Sequence, residues 1–259
     1  MKNTRKILIT NDDGIDAPGI RRLAEAARKY GEVWVVAPDG QRSAASHSLT
    51  IDKPMDIYPV DWGMEDVHAF SCTGLPCDCF RIGSKYVMPE LPDIVFSGIN
   101  NGFNVGTDIQ YSATVGAAFD AAMCGYPVIA FSEGFLSDER CTGNGHKVTD
   151  MYLPSILEAL LEPDGAGASG EERSIRLKHG QVININFPDC PLDECKGIKW
   201  NCRVSMNTPY IDYYTAEDLP GGGKQYTIHW IDRDHAEEGT DLRALLDNYV
   251  AIGIVNNIS

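Results

Sequence analysis

The chain has 259 residues, 43% of them hydrophobic and 9% aromatic, enough to bury a sizeable core in one large domain or in one domain with an appendage. Its formal charge of −15, from 22 basic against 37 acidic residues, argues against nucleic acid as a partner, because such binding rests on Lys and Arg neutralising phosphates. No stretch approaches the roughly 18 apolar residues of a membrane helix, and the opening MKNTRKILIT has no apolar region of signal-peptide length, so no membrane association and a cytoplasmic location are expected.

In chain order, Ile7 to Thr10 reads as a strand, Gly19 to Lys29 has helical spacing in Ile20, Leu23, Ala24 and Ala27, and Val33 to Ala37 is a second apolar strand ending at Pro38. Ile94 to Ser97 is another β-rich run, Ser112 to Cys124 a helix of small residues, and Pro127 to Phe131 a further strand. Alternation of this kind predicts an α/β fold with a Rossmann-like, doubly wound, mostly parallel sheet in three α/β/α layers, built by residues 1–133. From Gly134 the texture changes. GFLSDERCTGNGHK is loop-like, Asp150 to Leu161 is an amphipathic helix, EPDGAGASGEER is a polar surface loop, and Val182 to Phe187 resumes as a strand. The tail carries a Gly-rich break at Gly221 to Gly223, a β-like run from Gln225 to Ile231 and a closing run from Tyr249 to Val255.

Ligands of open α/β sheets bind beyond the carboxyl ends of the strands, so the loops after the strands are where chemistry is expected. The first strand breaks on Asn11, Asp12, Asp13 and Gly14, and adjacent carboxylates repel unless something positive lies beside them. A plain turn would also use Asn-Asp and Asp-Gly. After the second strand comes APDGQRSAASHSLT, and after the third SGINNGFNVGTDIQYSATVGAA. Asp12 and Asp13 offer carboxylates, Ser43 a hydroxyl and Asn100 an amide carbonyl, an all-oxygen set suited to Mg²⁺, Mn²⁺ or Ca²⁺. The third loop enters a helix at Ser112, Ala113 and Thr114, whose free N–H groups suit a phosphate.

The ordered set TNDDGIDAPGI, APDGQRSAASHSLT, TGLPCDC at 73–79 and SGINNGFNVGTDIQYSATVGAA resembles the SurE family of stationary-phase survival proteins, metal-dependent nucleoside monophosphate phosphatases. The resemblance spans residues 6–132, with TDLRALLDNYVAIGIV similar to the family's C-terminal segment. It implies a single SurE-like domain over 1–259, with 134–259 holding variable loops, a completing strand and a C-terminal β-hairpin used in oligomerisation as a homodimer or homotetramer. It implies that Asp12, Asp13, Ser43 and Asn100 hold one divalent cation per subunit, Mg²⁺ or Mn²⁺ first and Ca²⁺ as an alternative occupant in a crystal. Asn104, Ser112 and Thr114 would then line the phosphate pocket. Nucleoside 5′- and 3′-monophosphates are the implied substrates, hydrolysed by metal-activated water with Asp12 or Asp13 orienting the water or accepting its proton. Ala113 departs from the Gly common in the family, a change that matters only if the position needs a positive φ.

Other readings are weaker. A haloacid-dehalogenase-type phosphatase needs Asp-x-Asp, which Asp12-Asp13-Gly14 does not supply. A non-catalytic nucleotide or phosphometabolite sensor on the same fold has little use for an open metal site. Cys72, Cys77 and Cys79 lack Cys-x-x-Cys spacing and read as free thiols, as the eight cysteines do in a reducing compartment. His47 reads as loop support or a substrate contact, His229 and His235 as surface or interface residues. GGGK at 221–224 lacks a Walker pattern and reads as a turn.

Overall fold

The computed structural model describes residues 5–134, 145–162 and 178–256. The polar loop expected at 162–173 lies outside these residues except for Glu162, as does most of the loop expected after Gly134. In order, the elements are β1 (Lys6–Thr10), α1 (Pro18–Ala27), β2 (Glu32–Pro38), β3 (Ile57–Val60), β4 (Val67–Cys72), α2 (Pro76–Ile82), β5 (Ile94–Asn101), α3 (Ala113–Met123), β6 (Val128–Glu133) and α4 (Gly145–Leu161). They continue with β7 (Gln181–Phe187), β8 (Ile198–Cys202), β9 (Tyr210–Asp218), β10 (Lys224–Asp232), α5 (Asp241–Leu246) and β11 (Val250–Asn256). A π-helical turn at Gly83–Val87 and a 3₁₀ turn at Gly106–Gln110 complete the set.

One nine-stranded sheet runs β3-β4-β2-β1-β5-β6-β7-β11-β8. Its strands from β4 to β7 are parallel, while β3 pairs antiparallel with β4 and β11 antiparallel with β7. The strands are apolar on both faces because helices cover both. Ile7, Ile9, Val33, Val35, Phe96, Ile129, Phe131, Ile183 and Ile185 face one core with Ile20 and Leu23 of α1 and Ile156 and Leu157 of α4. Leu8, Val36, Val95, Val128, Ala130 and Val182 alternate to the other side, against Phe80 of α2 and Val115, Ala118 and Phe119 of α3. The sheet therefore continues from the first half of the sequence into the second without a break.

The chain moves outward from β1 through β2 and β4, then returns to β5 on the other side of β1 and moves outward again through β6 and β7. The order reverses between β1 and β5, which opens a crevice at their carboxyl ends. The loops Asn11–Gly14 and Asn101–Gln110 begin there.

β9 and β10 form a separate two-stranded antiparallel sheet, nine residue pairs long from Tyr210↔Asp232 to Asp218↔Lys224. Its turn contains Gly221 and Gly222 at φ of +86° and +83°, which accounts for the Gly-rich run. α4 starts at Gly145, five residues ahead of the expected Asp150, so His146 and Lys147 are helical rather than loop. No helix among the described residues is long and apolar enough to cross a membrane.

Candidate active site

The loop after β1 is locked by its own side chain. Asn11 Nδ2 donates to Gly14 O at 2.9 Å, and Gly14 N donates to Asn11 Oδ1 at 3.2 Å. Gly14 has φ +103°, a conformation that strains any residue with a Cβ. The turn aims its two carboxylates differently, as neighbours in an extended segment do. Asp12 is 3% exposed and lines a cleft of about 190 Å³ together with Ser43, Asn100, Asn104, Asp108 and Ser112. Asp13 lines the adjoining cleft with Gln41, Glu133 and His146, and Asn101 borders both.

Neighbours orient the candidate ligand side chains of the two clefts. Thr114 Oγ1 donates to Asp12 Oδ1. Asn101 N donates to Asp13 Oδ2 at 2.9 Å. Asn100 Nδ2 donates to Gly102 O at 2.8 Å, which leaves its Oδ1 as the atom able to bind a cation. Gln41 Nε2 donates to Ser43 Oγ at 3.0 Å, and Arg42 N ties the loop to Asp12 O at 2.6 Å. Arg42 itself pairs with Asp39 at 2.5 Å, so its charge is directed to that carboxylate.

Burial and the charge of Asp13 push the Asp12 carboxyl up to about 7, and burial and Glu133 raise that of Asp13. No Lys or Arg lines the Asp12 cleft among the described residues. Two adjacent carboxylates, one of them buried in a cleft that no Lys or Arg lines among the described residues, with a hydroxyl and an amide oxygen nearby, form a donor set that a hard divalent cation fits and compensates.

α3 provides the second half of the site. Ser112 is its N-cap, with Oγ accepting from Val115 N at 3.0 Å, and the hydroxyl proton remains available to a ligand. The first-turn amides of Ala113 and Thr114 have no intrahelical acceptor. Ala113 is the first helical residue and does not have a positive φ, so the exchange of Gly for Ala needs no change in the loop. Asn104 is fixed by Asn186 Oδ1 at its N–H, by Ser132 Oγ at its Nδ2, and by the side-chain amides of Asn184 and Asn186 at its carbonyl.

The Thr114 side chain lies elsewhere than in the wall of the expected phosphate pocket. It is fully buried beneath Asp12, with its hydroxyl on that carboxylate rather than on the anion pocket. The structure brings together Asp12, Ser43, Asn100, Asn104 and Ser112, with Asp13 reached across Asn101. Sequence reading missed Phe103, Asp108, Tyr111 and Tyr210 in the cleft wall. The first three lie inside the quoted third loop, whereas Tyr210 arrives from β9.

The Ser43 loop is clamped onto α3. A Cβ at Gly116 would come within 2.6 Å of Ser46 O, so only Gly permits this approach. One turn later, Asp120 Oδ1 is 3.3 Å from His47 Nε2, and Arg81 donates to both Asp120 oxygens at 2.6 and 2.7 Å. Cys77 lies in the same cluster, but burial pushes its thiol up to about 12, and Arg81 occupies the carboxylate, so the group is an ion pair rather than a metal centre. Burial raises the Asp120 carboxyl, while hydrogen bonds from His47 and Arg81 outweigh this and hold it below the ordinary value of 3.8. A depressed carboxylate stabilises the fold above that ordinary value and loses its contribution as pH falls through the folded one. Asp120→Asn should therefore cost about 1–2 kcal/mol at pH 7, the lower part of the charge-assisted range because Arg81 is partly exposed. The difference from the parent chain should close below about pH 4. Urea denaturation of both proteins from pH 7 to pH 3 measures it, and a difference independent of pH would exclude the ionic account.

The sequence profile described as "Survival protein SurE" matches residues 7–209. The chain belongs to the SurE family. A SurE relative named 5′-nucleotidase from Clostridium botulinum (strain Loch Maree / Type A3) is 37% identical over 249 residues, covering 95% of this chain and 90% of that one. A SurE relative named 5′/3′-nucleotidase from Escherichia coli O127:H6 is 37% identical over 254 residues, covering 95% and 88%. The crystal structure of the SurE protein from Aquifex aeolicus superposes with a TM-score of 0.76 at 33% identity, covering 97% of this chain and 93% of that one. The C-terminal likeness to SurE also has a structural reason. Thr240 caps α5, and Asp241 accepts from the amides of Gly106, Ser205 and Leu242, tying the third loop to the end of the sheet.

Proposed function

We propose that the chain is a phosphomonoesterase that hydrolyses nucleoside 5′- and 3′-monophosphates, with one Mg²⁺ or Mn²⁺ per subunit held by Asp12, Asp13, Ser43 and Asn100. The observation that carries this reading is the convergence, at the sheet's reversal point, of a buried carboxylate, neutral oxygen donors and the start of α3. The relatives at 37% identity carry nucleotidase activity in their names, which favours an enzyme over a sensor.

When bound, the cation would polarise a phosphoryl oxygen and acidify bound water. Thr114 fixes one oxygen of Asp12, and Asn101 N fixes one of Asp13. Asp12 or Asp13 takes the proton of the attacking water. The Ser112 hydroxyl, the Asn104 amide and the amides opening α3 donate to the phosphoryl oxygens, where negative charge must be stabilised.

The cleft has little with which to neutralise further phosphates, and the overall charge of −15 repels polyanions. Nucleoside monophosphates should be turned over well above the di- and triphosphates, with modest discrimination between bases. Initial rates on the mono-, di- and triphosphate of one nucleoside, a sugar phosphate and a phosphopeptide test this. Equal or faster turnover of the triphosphate or the phosphopeptide would overturn the substrate class.

Seven free cysteines among the described residues support a reducing, cytoplasmic setting. A homodimer or homotetramer is supported by the β9–β10 hairpin, which among the described residues forms a sheet separate from the main one and exposes Tyr213, Tyr214, Tyr226 and Trp230. Isolated hairpins are marginal in water, and such an apolar surface suits a subunit contact.

A further inference from the structure

Asn104 and Ser112, assigned above to the phosphate, are joined by the 3₁₀ turn Gly106–Gln110, and Asp108 is the acidic residue that this turn places in the wall of the first cleft. The start of the turn is fixed from outside. Gly106 N donates to Asp241 Oδ2 at 3.0 Å, and Thr107 N donates to Asn207 O at 3.2 Å. A Cβ at Gly106 would come within 1.9 Å of Asn207 O, so only Gly permits this seating. The end of the turn is closed by Tyr111 N, which donates to Asp108 O at 2.9 Å. We propose that Asp108 is the general acid of the hydrolysis, giving its proton to the ester oxygen of the departing nucleoside. The assignment rests on the nucleotidase reading above and supplies the proton donor that this reading leaves unnamed.

The reaction calls for such a group, because an alkoxide is a poor leaving group until it is protonated. Hydrolysis breaks the bond between phosphorus and the ester oxygen, and the electron pair of that bond stays with the oxygen. A water oxygen takes its place on phosphorus, and one proton of that water passes to Asp12 or Asp13. The ester oxygen takes the Asp108 proton and becomes the nucleoside hydroxyl. Asp108 is then reprotonated from solvent, and the carboxylate that accepted the water proton returns one there.

Neighbouring acids are committed or misplaced. Asp12 and Asp13 must be ionised to ligate a cation, so neither has a proton to give. Tyr111 and Tyr210, the phenols of the same wall, are far weaker acids. Asp189 and Asp232 border a neighbouring cleft of about 290 Å³, which shares Phe103 and Tyr210 with the first but none of its phosphate-binding residues. Asp108 is half-buried, its carboxyl has no hydrogen-bond or ion-pair partner among the described residues, and no Lys or Arg among them lines the cleft to favour its ionised form. Burial, and after it the negative charge of Asp212 on β9, raises this carboxyl above its ordinary value, the direction that an acid working near neutral pH requires.

The test compares two esters that differ in their need for a proton. The nucleoside of adenosine 5′-monophosphate leaves as an alkoxide, whereas 4-nitrophenyl phosphate releases a phenolate that is stable without protonation. Asp108→Asn keeps the shape of the side chain and removes the acid. With Mn²⁺, kcat/KM of the variant should fall at least about a hundredfold on adenosine 5′-monophosphate but less than about tenfold on 4-nitrophenyl phosphate. Inhibition by inorganic phosphate and the rise in melting temperature with Mn²⁺ should match the parent chain, which shows a folded variant with its phosphate and metal contacts intact. Equal losses on the two esters, or no loss on either, overturn the assignment while the nucleotidase reading stands. The parent chain gives a second measurement. Across a series of aryl and alkyl phosphates its kcat/KM should depend only weakly on the acidity of the leaving group, and a steep dependence overturns the assignment without any variant. A parent chain that hydrolyses no nucleoside monophosphate with Mg²⁺ or Mn²⁺ overturns the reading itself, and the inference with it.

Discussion

Asp12→Asn is expected to lower kcat at least about a hundredfold, the scale of removing one charge-stabilising group from an active site. The amide keeps the shape of the side chain and can still accept from Thr114, so the effect isolates the charge. Stability should behave differently. Asp12 is 3% exposed beside a second carboxylate, and removing its charge removes a desolvation cost, so the metal-free variant should melt at the same temperature as the parent or higher. Asp13→Asn should lose a comparable factor in rate, with a smaller change in melting because Asp13 is less buried. Turnover measured beside thermal melting separates the roles. A near fully active Asp12→Asn would reduce Asp12 to a turn residue.

Excess chelator is expected to abolish turnover, and Mg²⁺ or Mn²⁺ to restore it. The four proposed ligand groups are hard oxygens, which bind such cations by charge and release them to a strong chelator. Binding to the folded chain alone must also stabilise it, by about 2.7 kcal/mol at a free metal concentration one hundred times Kd. Melting with and without metal therefore gives a second readout that needs no substrate. Full activity in a demonstrably metal-free preparation would overturn the mechanism.

The strands of the central sheet are legible in the sequence because they are buried on both faces, and a run such as Ile7 to Thr10 or Val33 to Ala37 has no other stable use. β4 is not, because the polar His68 and Ser71 interrupt the apolar pattern of VHAFSC. β9 escapes for a stronger version of the same reason: YIDYYTAED is exposed along almost its whole length and shows no buried period. α4 reads five residues short because the Gly and Asn before His146 resemble loop, while the helix gains its start from Val148 packing in the core. In the site, the oxygen donors stand in short motifs and can be read. Thr114 cannot be placed, since whether a first-turn hydroxyl faces ligand or carboxylate depends on how α3 is rotated against β1. Tyr210, about a hundred residues beyond the third loop, is brought in only by the tertiary fold.

The hairpin behaves mechanically as a cantilever. Nine residues at about 3.3 Å each carry its tip some 30 Å from its root. The root is clamped by Tyr210 opposite Asp232, by Arg233 N on Pro209 O at 2.9 Å, and by Arg233 Nε on Thr208 O. Tyr210 belongs at once to that clamp and to the walls of both clefts, whereas Asp12 and Asn100 are anchored on interior strands of the main sheet. The two clefts thus join a wall rooted at the strands of the main sheet to a wall carried by the root of a hairpin outside that sheet.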